Sequence, residues 1–364
     1  MKRIVFTVTN QLNHDQRMIR ICTSMQQQGY WVTLVGVQHM RSNPLVTQPF
    51  LQKRLFCFFQ KGFLFYAEYN IRLFFYLLTS SADILCCIDL DTMLPVYYAG
   101  KITQKKLVYD AHEYFSQQKE IITRPFVYKF WHWIERRFMP SFKNGYTVSQ
   151  SIAEEFSRLY GLQYQVIRNV PVLMQTLNAH PTIDSNKIIL YQGAVNEARG
   201  LEYLIPAMNS IDATLHIYGT GNFVEQTRTL IKKNKLEHKV ILKGNVLPAD
   251  LKSITQNAYL GINLVENTGK NQYFSLANKF FDYMHAAVPQ VTMDFPEYQR
   301  VNNVYEIAVL VKELTESNII KAINQLLQDQ NKYHTLQSNC IKASHEHHWG
   351  EEEKKLIAFY KNIE

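Results

Sequence analysis

Residues 3–37 read RIVFTVTNQLNHDQRMIRICTSMQQQGYWVTLVGV, and the hydrophobic pattern of this stretch decides the fold class. Arg3–Thr9 is rich in Val, Ile, Phe and Thr, which is typical of a strand buried on both faces. After a polar loop, Asp15 can cap a helix that runs to about Gln28, with apolar residues at helical spacing. Tyr30–Val37 predicts a second strand. The stretch is therefore a β-loop-α-β unit.

The same alternation of apolar strands and amphipathic helices continues along the chain. Further strands are predicted at Asp83–Ile88, Lys106–Asp110, Asn144–Val148, Tyr164–Arg168, Ile188–Gln192, Ala213–Tyr218, Val240–Lys243, Leu260–Leu264 and Pro289–Thr292. Residues 171–186 have the Pro, Asn, Asp and Ser content of a linker. We expect an α/β fold of two doubly wound, Rossmann-like domains, residues 1–170 and 187–349, facing across a cleft.

Composition narrows the class of protein. The 364 residues are 46% hydrophobic and 19% charged, which excludes a disordered, collagen-like or coiled-coil chain. The formal net charge of +8 favours anionic partners, although a solvated basic surface would give the same value. Five cysteines occur without CxxC or Cys/His metal spacing, so we expect no disulfide framework, no zinc site and a cytoplasmic location. The N-terminus turns polar too early for a signal peptide.

Residues 273–289, YFSLANKFFDYMHAAVP, carry the most informative chemistry. Ser275 is a predicted N-cap, so free backbone N–H groups and the positive end of a helix would suit a phosphate. Asn278 and Asp282 are four residues apart and share a helical face, with Lys279 beside them. A carboxylate there could accept hydrogen bonds from ribose hydroxyls while the lysine neutralises phosphate. An ordinary amphipathic helix with a cap explains the same residues equally well.

The segment SLANKFFDYMHAAVPQV (275–291) resembles the donor-binding helix of retaining GT-B glycosyltransferases of the family 4 type. That family often has S-x-P-x-K, two hydrophobic residues and E-Y-M-x-A-G-x-P at this point. Other segments resemble the family in the same order, at Asp15–Arg17, Gly29–Thr33, Leu107–Glu113, Tyr146–Ser149, Val166–Pro171, Gly193–Glu202, Ile217–Gly221 and Lys243–Val246. The resemblance covers nearly the whole chain. It implies that the C-terminal helix, residues 350–364, returns to the first domain.

The resemblance implies a nucleotide-sugar donor, a UDP- or GDP-sugar, bound by the second domain without a cofactor or a metal. Arg199 and Lys279 would bind the donor diphosphate and stabilise the leaving group. Asp282 would hold the ribose. The other donor-binding residues implied are Gly193, Gly219, Val246, Ser275 and Asn278. The Asp-x-Asp spelling of Asp89-Leu90-Asp91 lies at a strand end of the first domain and is not expected to bind a metal.

The resemblance also implies an acceptor side in the first domain. His112 closes a strand there, and the matching histidine of the family contacts the donor sugar; a lone histidine is otherwise more often a cap or a core residue. The further residues predicted to line the acceptor side or the cleft are Asn10, Gln11, His14, Glu113 and Glu297. The acceptor itself is expected to be a polysaccharide or a lipid-linked glycan.

Departures from the family pattern leave alternatives open. The first of two glutamates common in the family is replaced by Phe274, and the second by Asp282. The loss of the first glutamate would suit a catalytically inactive GT-B module that acts as the partner subunit of a transferase. A nucleotide-sugar epimerase is a further alternative, although its catalytic acids are not visible. A nucleic-acid binder is not expected, because the basic residues are scattered rather than striped.

Residues 49–78, PFLQKRLFCFFQKGFLFYAEYNIRLFFYLL, mix Phe, Tyr and Leu with basic side chains. No charge-free run of 18 residues occurs, so a spanning helix is not expected. Aromatic residues beside cations suit an anionic membrane surface, and a lipid-linked acceptor would bring the protein to the inner face of the plasma membrane. The alternative is a pair of buried helices that pack on the first sheet.

Overall fold

The computed structural model describes residues 1–13, 15–173 and 187–363. The chain divides into two compact units, one of residues 1–169, 269–271 and 352–364 (unit 1) and one of residues 170–268 and 272–351 (unit 2). Most of the predicted linker 171–186, together with His14 and Glu364, lies outside the described residues. None of the helices in the described ranges is long and apolar enough to cross a membrane.

Unit 1 is built on a seven-stranded sheet in the order β3-β2-β1-β4-β5-β6-β7, and every pairing is parallel. Its strands are β1 (Arg3–Thr7), β2 (Trp31–Gln38), β3 (Leu51–Phe56), β4 (Ile84–Ile88), β5 (Lys106–Ala111), β6 (Asn144–Thr147) and β7 (Gln165–Val166). Its helices are α1 (Gln16–Gln27), α2 (Gly62–Thr79), α3 (Met93–Ile102), α4 (Lys119–Ile122), α5 (Pro125–Phe138) and α6 (Gln150–Tyr160).

Unit 2 has a six-stranded parallel sheet in the order β10-β9-β8-β11-β12-β13. The strands are β8 (Ile188–Gln192), β9 (Thr214–Tyr218), β10 (Val240–Gly244), β11 (Leu260–Asn263), β12 (Gln290–Met293) and β13 (Ala308–Val311). The helices after residue 170 are α7 (Leu201–Ala207), α8 (Val224–Lys233), α9 (Pro248–Gln256), α10 (Lys270–Tyr273), α11 (Asn278–His285), α12 (Pro296–Asn302), α13 (Glu316–Gln328), α14 (Gln330–Ser344) and α15 (Trp349–Asn362).

The strand orders confirm the predicted fold class of two Rossmann-like sheets. Each sheet reverses its strand order once, at β1/β4 in unit 1 and at β8/β11 in unit 2. In open parallel sheets ligands bind beyond the carboxyl ends of the strands at such a reversal. Candidate ligand-binding residues are therefore those that follow β1, β4 and β5 in unit 1, and β8, β9 and β11 in unit 2.

The first helix forms as its sequence predicts. The Asp15 carboxylate accepts a hydrogen bond from the backbone N–H of Met18 and caps α1. The apolar stripe of α1 is fully buried at Met18, Ile21, Cys22 and Met25. Burial of these side chains against the sheet provides the hydrophobic stabilisation that a short helix needs.

The last helix supplies part of the core of unit 1. Tyr360 is fully buried, and its ring makes edge contacts with the rings of Phe6, Tyr30 and Tyr146. Glu352 accepts a hydrogen bond from the backbone N–H of Arg168. Residues 352–364 therefore pack in unit 1 although the chain preceding them belongs to unit 2.

One local prediction and one of the alternatives are wrong. Residues 49–78 are not a pair of helices, because Leu51–Phe56 forms the edge strand β3 beside β2, and only α2 is helical. Ser275 is not a helix cap, since α11 begins at Asn278 after Ala277, and the Ser275 hydroxyl donates instead to the carbonyl of Gln272. The preceding segment folds as the separate short helix α10, so the serine closes that turn.

Candidate functional site

Two glycines bring the ends of β8 and β9 together in unit 2. Gly193 follows β8 and Gly219 follows β9, both with positive φ values, +123° and +139°. A Cβ atom on Gly219 would lie only 1.8 Å from the carbonyl oxygen of Gly193, so no other residue fits there. The two exposed backbone turns thus form a surface that a ligand can approach closely.

Lys279 lies directly beside this turn. A Cβ atom on Gly193 would be 4.0 Å from the lysine Nζ. The same ammonium group is 4.0 Å from the centre of the Tyr191 ring, within the range of a cation–π contact. Burial and, to a lesser extent, the nearby Arg199 lower the pKa of Lys279 to about 7, although Asp282 acts in the opposite direction. A ligand anion would remove much of this electrostatic cost.

Arg199 is the second cation of this group. It is partly buried in the loop before α7, between Ala198 and Gly200, which both have positive φ values. Among the described residues, neither Arg199 nor Lys279 forms a salt bridge within 4 Å. Two neighbouring cations without a carboxylate partner, next to a backbone turn free of side chains, suit a diphosphate.

Asp282 is held in place by the end of β8. The amide of Gln192 donates to Oδ2 of Asp282 at 3.0 Å, and its carbonyl oxygen accepts from the Thr255 hydroxyl at 2.7 Å. Gln192 is a site residue that the sequence does not reveal, because it lies 90 positions from its partner. Asn278, one turn before Asp282 on α11, is exposed.

The remaining predicted donor residues lie in loops around this edge. Val246 follows β10 and is partly buried. Ser275 is also partly buried and lies in the loop before α11. Phe274 lies against Tyr273, with the ring centres 5.6 Å apart, so an aromatic pair occupies the position where the family pattern has its first glutamate.

Glu297 departs from its prediction. Its side chain is 0% exposed, and its carboxylate pairs with Arg300 at 3.4 Å. The residue lies in the first turn of α12, which packs into the core of unit 2. Glu297 therefore does not line an open pocket in this structure.

In unit 1, the loop after β1 is tightly ordered. The Asn10 amide donates to Asp15 at 2.7 Å, and its carbonyl oxygen accepts from the N–H of Leu12. The Gln11 carbonyl accepts from Arg54. Both Asn10 and Gln11 are exposed, whereas the predicted His14 lies outside the described residues.

A buried chain of charges orients His112. Asp110, which is 0% exposed, binds Arg17 through Oδ1 at 3.1 Å and His112 Nε2 through Oδ2 at 3.0 Å. Burial alone would raise the pKa of Asp110. Arg17 and His112 lower it by a larger amount, so the net shift is downward. Burial lowers the pKa of His112, but the Asp110 carboxylate more than offsets this and the net shift is upward. The imidazole is thereby held in one orientation and favoured as a cation.

Asp89 holds the backbone on the other side of His112. Its Oδ1 atom accepts from the N–H groups of His112 at 2.9 Å and Glu113 at 3.3 Å. Asp89 adopts a φ of +54°, and burial raises its pKa well above the usual value. The sequence pattern singles out this residue only as half of an Asp-x-Asp spelling, so its positioning role is found from the structure alone.

Glu113 is exposed and accepts two hydrogen bonds. Its Oε2 atom receives the amide of Gln118 at 2.7 Å and the amide of Asn271 at 3.0 Å. Asn271 also accepts from the N–H of Tyr114, and Lys270 pairs with Glu155 at 2.5 Å. Residues 269–271 are thus tied to unit 1 by polar contacts.

No group of three His, Cys, Asp or Glu side chains able to hold a metal ion occurs in the described ranges. The donor set at the carboxyl end of the unit 2 sheet is made of cations and backbone turns. Such a set suits an anion rather than a metal ion.

Two family models match the chain. Residues 16–171 match the model "Glycosyltransferase Family 4", and residues 175–343 match "Glycosyl transferases group 1". Between them the two models span nearly the whole chain. Among curated proteins, none matches the sequence.

Solved structures with the same fold are numerous but distant in sequence. Sucrose-phosphate synthase from Thermosynechococcus elongatus is 15% identical with a TM-score of 0.78, over 100% of this chain and 99% of its own. HepE of Anabaena in complex with UDP-glucose is 13% identical with a TM-score of 0.74, over 100% of both chains. WaaG, a glycosyltransferase involved in lipopolysaccharide biosynthesis, is 13% identical with a TM-score of 0.72, over 98% of this chain and 99% of its own.

Proposed function

Because the chain belongs to the GT-B glycosyltransferases of the family 4 type, we propose that it transfers a sugar from a UDP- or GDP-sugar with retention of configuration. The acceptor is a polysaccharide or a lipid-linked glycan. Unit 2 binds the donor and unit 1 binds the acceptor. The observation that carries the proposal is the pair Arg199 and Lys279, two unpaired cations beside the Gly193 turn.

The geometry of this site supports a nucleoside diphosphate as part of the donor. The cations and backbone turns at the ends of β8 and β9 suit a diphosphate, and Asp282, fixed by Gln192, suits the ribose hydroxyls. The HepE structures, which hold UDP and UDP-glucose, support a nucleotide sugar of this kind. Val246 and Gly219 lie near the base in this assignment.

The chemistry requires stabilisation of the leaving group. When the bond between the sugar and the diphosphate breaks, negative charge grows on the departing phosphate oxygen. Arg199 and the ammonium form of Lys279 stabilise this negative charge. Fixed cations in a site that excludes part of the water do so more strongly than water does. With retention, the acceptor hydroxyl attacks from the face that the diphosphate leaves, and the departing phosphate can take the hydroxyl proton.

His112 positions the donor sugar for this step. Asp110 fixes its ring through Nε2, so its other ring nitrogen is the one that can meet a ligand. The raised pKa of His112 favours a charged donor of hydrogen bonds to sugar hydroxyls. Asn10, Gln11 and Glu113, which are exposed around the same strand ends, suit the hydroxyls of the acceptor.

The protein acts at the inner face of the plasma membrane, as a lipid-linked acceptor requires. Its five cysteines are free and buried, which supports the reducing cytoplasm. Within residues 49–78, the exposure of Phe58, Phe63 and Phe75 supports contact with an anionic membrane surface.

Calorimetric titration with UDP, GDP and their sugars tests the donor assignment. We expect one nucleotide to bind, and expect Arg199→Met and Lys279→Met each to weaken it roughly tenfold or more, since each removes a charge-assisted contact. Lys232→Met, on the exposed side of α8, is the matched control and should bind as the parent does. Binding that survives both site substitutions would refute the diphosphate assignment, and turnover assays with the same donor then test transfer.

A further inference from the structure

Three neighbouring helices of unit 1 expose apolar side chains that the fold does not use. Here they are called the aromatic face: Phe63, Leu64, Ile71 and Phe75 of α2, Tyr98 and Ile102 of α3, and Phe126, Phe130 and Trp133 of α5. The exposed fractions are high for such side chains, 88% for Phe126, 70% for Phe63 and 54% for Trp133. Isolated exposed hydrophobic residues are ordinary, but a contiguous set of this kind indicates a binding surface.

The aromatic face is continuous. The rings of Phe63 and Phe130 lie 6.2 Å apart and connect α2 to α5. Phe138 connects α5 to α3, through edge contacts with Tyr98 at 5.8 Å and Trp133 at 5.6 Å. The helices therefore form one layer of unit 1.

Helices α2 and α5 each carry apolar side chains on two sides, one side buried in the protein and the other exposed to solvent. Along α2, Phe65, Tyr69, Leu73 and Leu77 are buried against the sheet, whereas Leu64, Ile71 and Phe75 point to solvent. Along α5, Trp131, Ile134 and Phe138 are buried, whereas Phe126, Phe130 and Trp133 recur on the outer side. The outer apolar stripe is thus additional to the one that folds the protein.

Within the three segments that carry the aromatic face, the exposed charges all have one sign. Its exposed ionisable residues are Lys61, Lys101, Arg124, Lys129, Arg136 and Arg137. The three segments 61–79, 93–102 and 124–138 are described in full, and their only acids are Glu68, which pairs with Arg72, and Glu135, which is buried. A protein partner of ordinary composition would not require exposed rings surrounded by cations alone. An anionic bilayer attracts the cations and accommodates the rings at its interface.

We propose that the outer faces of α2, α3 and α5 together form the surface by which this protein binds anionic phospholipid bilayers. For residues 62–78 this proposal rests on the membrane contact given under the proposed function. The addition is that α3 and α5 belong to the same membrane-binding surface. The rings of Phe126, Phe130 and Trp133 insert at the level of the headgroups. The cations beside them bind the lipid phosphates.

Vesicle co-sedimentation of the full chain tests the surface without any sugar transfer, so its outcome is independent of the donor assignment. Phosphatidylcholine vesicles and vesicles with added phosphatidylglycerol are the probes. We expect binding only to the anionic vesicles, and expect it to weaken as salt is raised. Equal binding to both vesicles, or none to either, overturns the proposal.

Two pairs of charge variants separate this surface from the general basic character of the chain. Lys129→Gln with Arg137→Gln should weaken partitioning roughly 25-fold, since a cation near an anionic membrane contributes about fivefold. Lys232→Gln with Lys233→Gln on α8 of unit 2 removes the same charge and should change nothing. Equal losses for the two pairs would mean attraction by net charge alone and would overturn the surface.

Apolar variants separate α5 from α2. Phe126→Ser with Trp133→Ser should reduce binding as strongly as Phe63→Ser with Phe75→Ser, with melting temperatures close to the parent because all four side chains are exposed. If only the α2 double variant lost vesicle binding, the membrane contact of residues 49–78 would be supported but the extension of the surface to α5 would be overturned. Light scattering without lipid completes the test, because a dimer that these variants dissociate would assign the face to a second copy of the chain instead.

Discussion

The ammonium group of Lys279 lies 4.0 Å from the centre of the Tyr191 ring, at the end of the strand that leads into the Gly193 turn. Among the described residues the ammonium forms no hydrogen bond or salt bridge, and the ring replaces little of the hydration that burial removes. This is why burial, with Arg199 nearby, brings the pKa of Lys279 down to about 7. The lysine is thereby poised to take up a proton when an anion arrives.

Donor affinity should therefore depend on pH. Below pH 7 the ammonium form already exists, whereas above pH 7 a bound diphosphate must first raise the pKa of Lys279 and draw a proton from solution. We expect the affinity to fall by up to about tenfold per pH unit above 7. Titration calorimetry with UDP-glucose and GDP-mannose suits the measurement, because their diphosphates do not ionise in this range.

Variants identify the residue that causes this slope. Lys279→Met should bind weakly with no slope above pH 7, whereas His112→Gln, which removes one titratable group of unit 1, should keep the slope. Protons taken up on binding can be counted from the heats measured in two buffers. A slope that persists in Lys279→Met would show that another group titrates.

Gly219→Ala should destabilise unit 2 strongly. The new methyl group would lie 1.8 Å from the Gly193 carbonyl oxygen, at a φ of +139° that only glycine adopts readily. We expect a loss of more than ~3 kcal/mol in the free energy of unfolding, from backbone strain and overpacking together.

Gly244→Ala is the matched control, since the φ of Gly244 is also positive but a Cβ atom there would meet nothing within 4 Å. A loss of about 1 kcal/mol is expected there. Urea unfolding of both variants is the measurement, and similar losses would mean that the close approach is unimportant.

The sheets could be predicted because most strands, such as Ile84–Ile88, are buried apolar runs between recognisable helices. The sequence pattern does not reveal the edge strand β3, because Lys53 and Arg54 interrupt its apolar run, as charges on edge strands commonly do. Ser275 has the right residue type for a cap, but the fold of the preceding turn, which no local pattern reveals, decides where α11 begins.

The candidate site was predictable only in part, for a similar reason. Glycines such as Gly193 and Gly219 are visible in the sequence because they end predicted strands. The bond between Gln192 and Asp282 joins residues 90 positions apart, and the Asp89–His112 bond joins residues 23 apart. Contacts of this range depend on the completed sheet, so spacing along the chain does not reveal them.

Asp89 should act as a positioning residue for His112. Asp89→Ala removes the acceptor for two backbone N–H groups and leaves alanine at a φ of +54°, so we expect a loss of ~2–4 kcal/mol in stability and at least a tenfold fall in kcat. Asp89→Asn keeps an acceptor oxygen and tolerates positive φ, so it should retain most of both. Stability from urea unfolding and kcat from donor turnover are compared for the two variants. Equal damage by Asn and Ala would instead mean that the negative charge of Asp89 is required.

Asp91 should make the stability of unit 1 depend on pH between about 4 and 6. Burial raises its pKa to about 6, although the Thr9 hydroxyl, which donates to its Oδ2 at 2.6 Å, opposes the shift. Because the folded protein holds this proton more tightly than the unfolded chain, the contribution of Asp91 to stability is most favourable at low pH and falls as pH rises through this range. The cost at pH 7 is at most ~3 kcal/mol, the equivalent of about two pKa units.

Asp91→Asn removes the charge, so it should raise stability at pH 7 and reduce the difference in stability between pH 4 and pH 6. Urea unfolding of both proteins across this range measures the difference curve, which includes the effect of the Asp91 charge on the neighbouring Asp89. A variant less stable than the parent at pH 7, with the slope unchanged, would mean that the carboxylate is compensated by contacts that the amide cannot make.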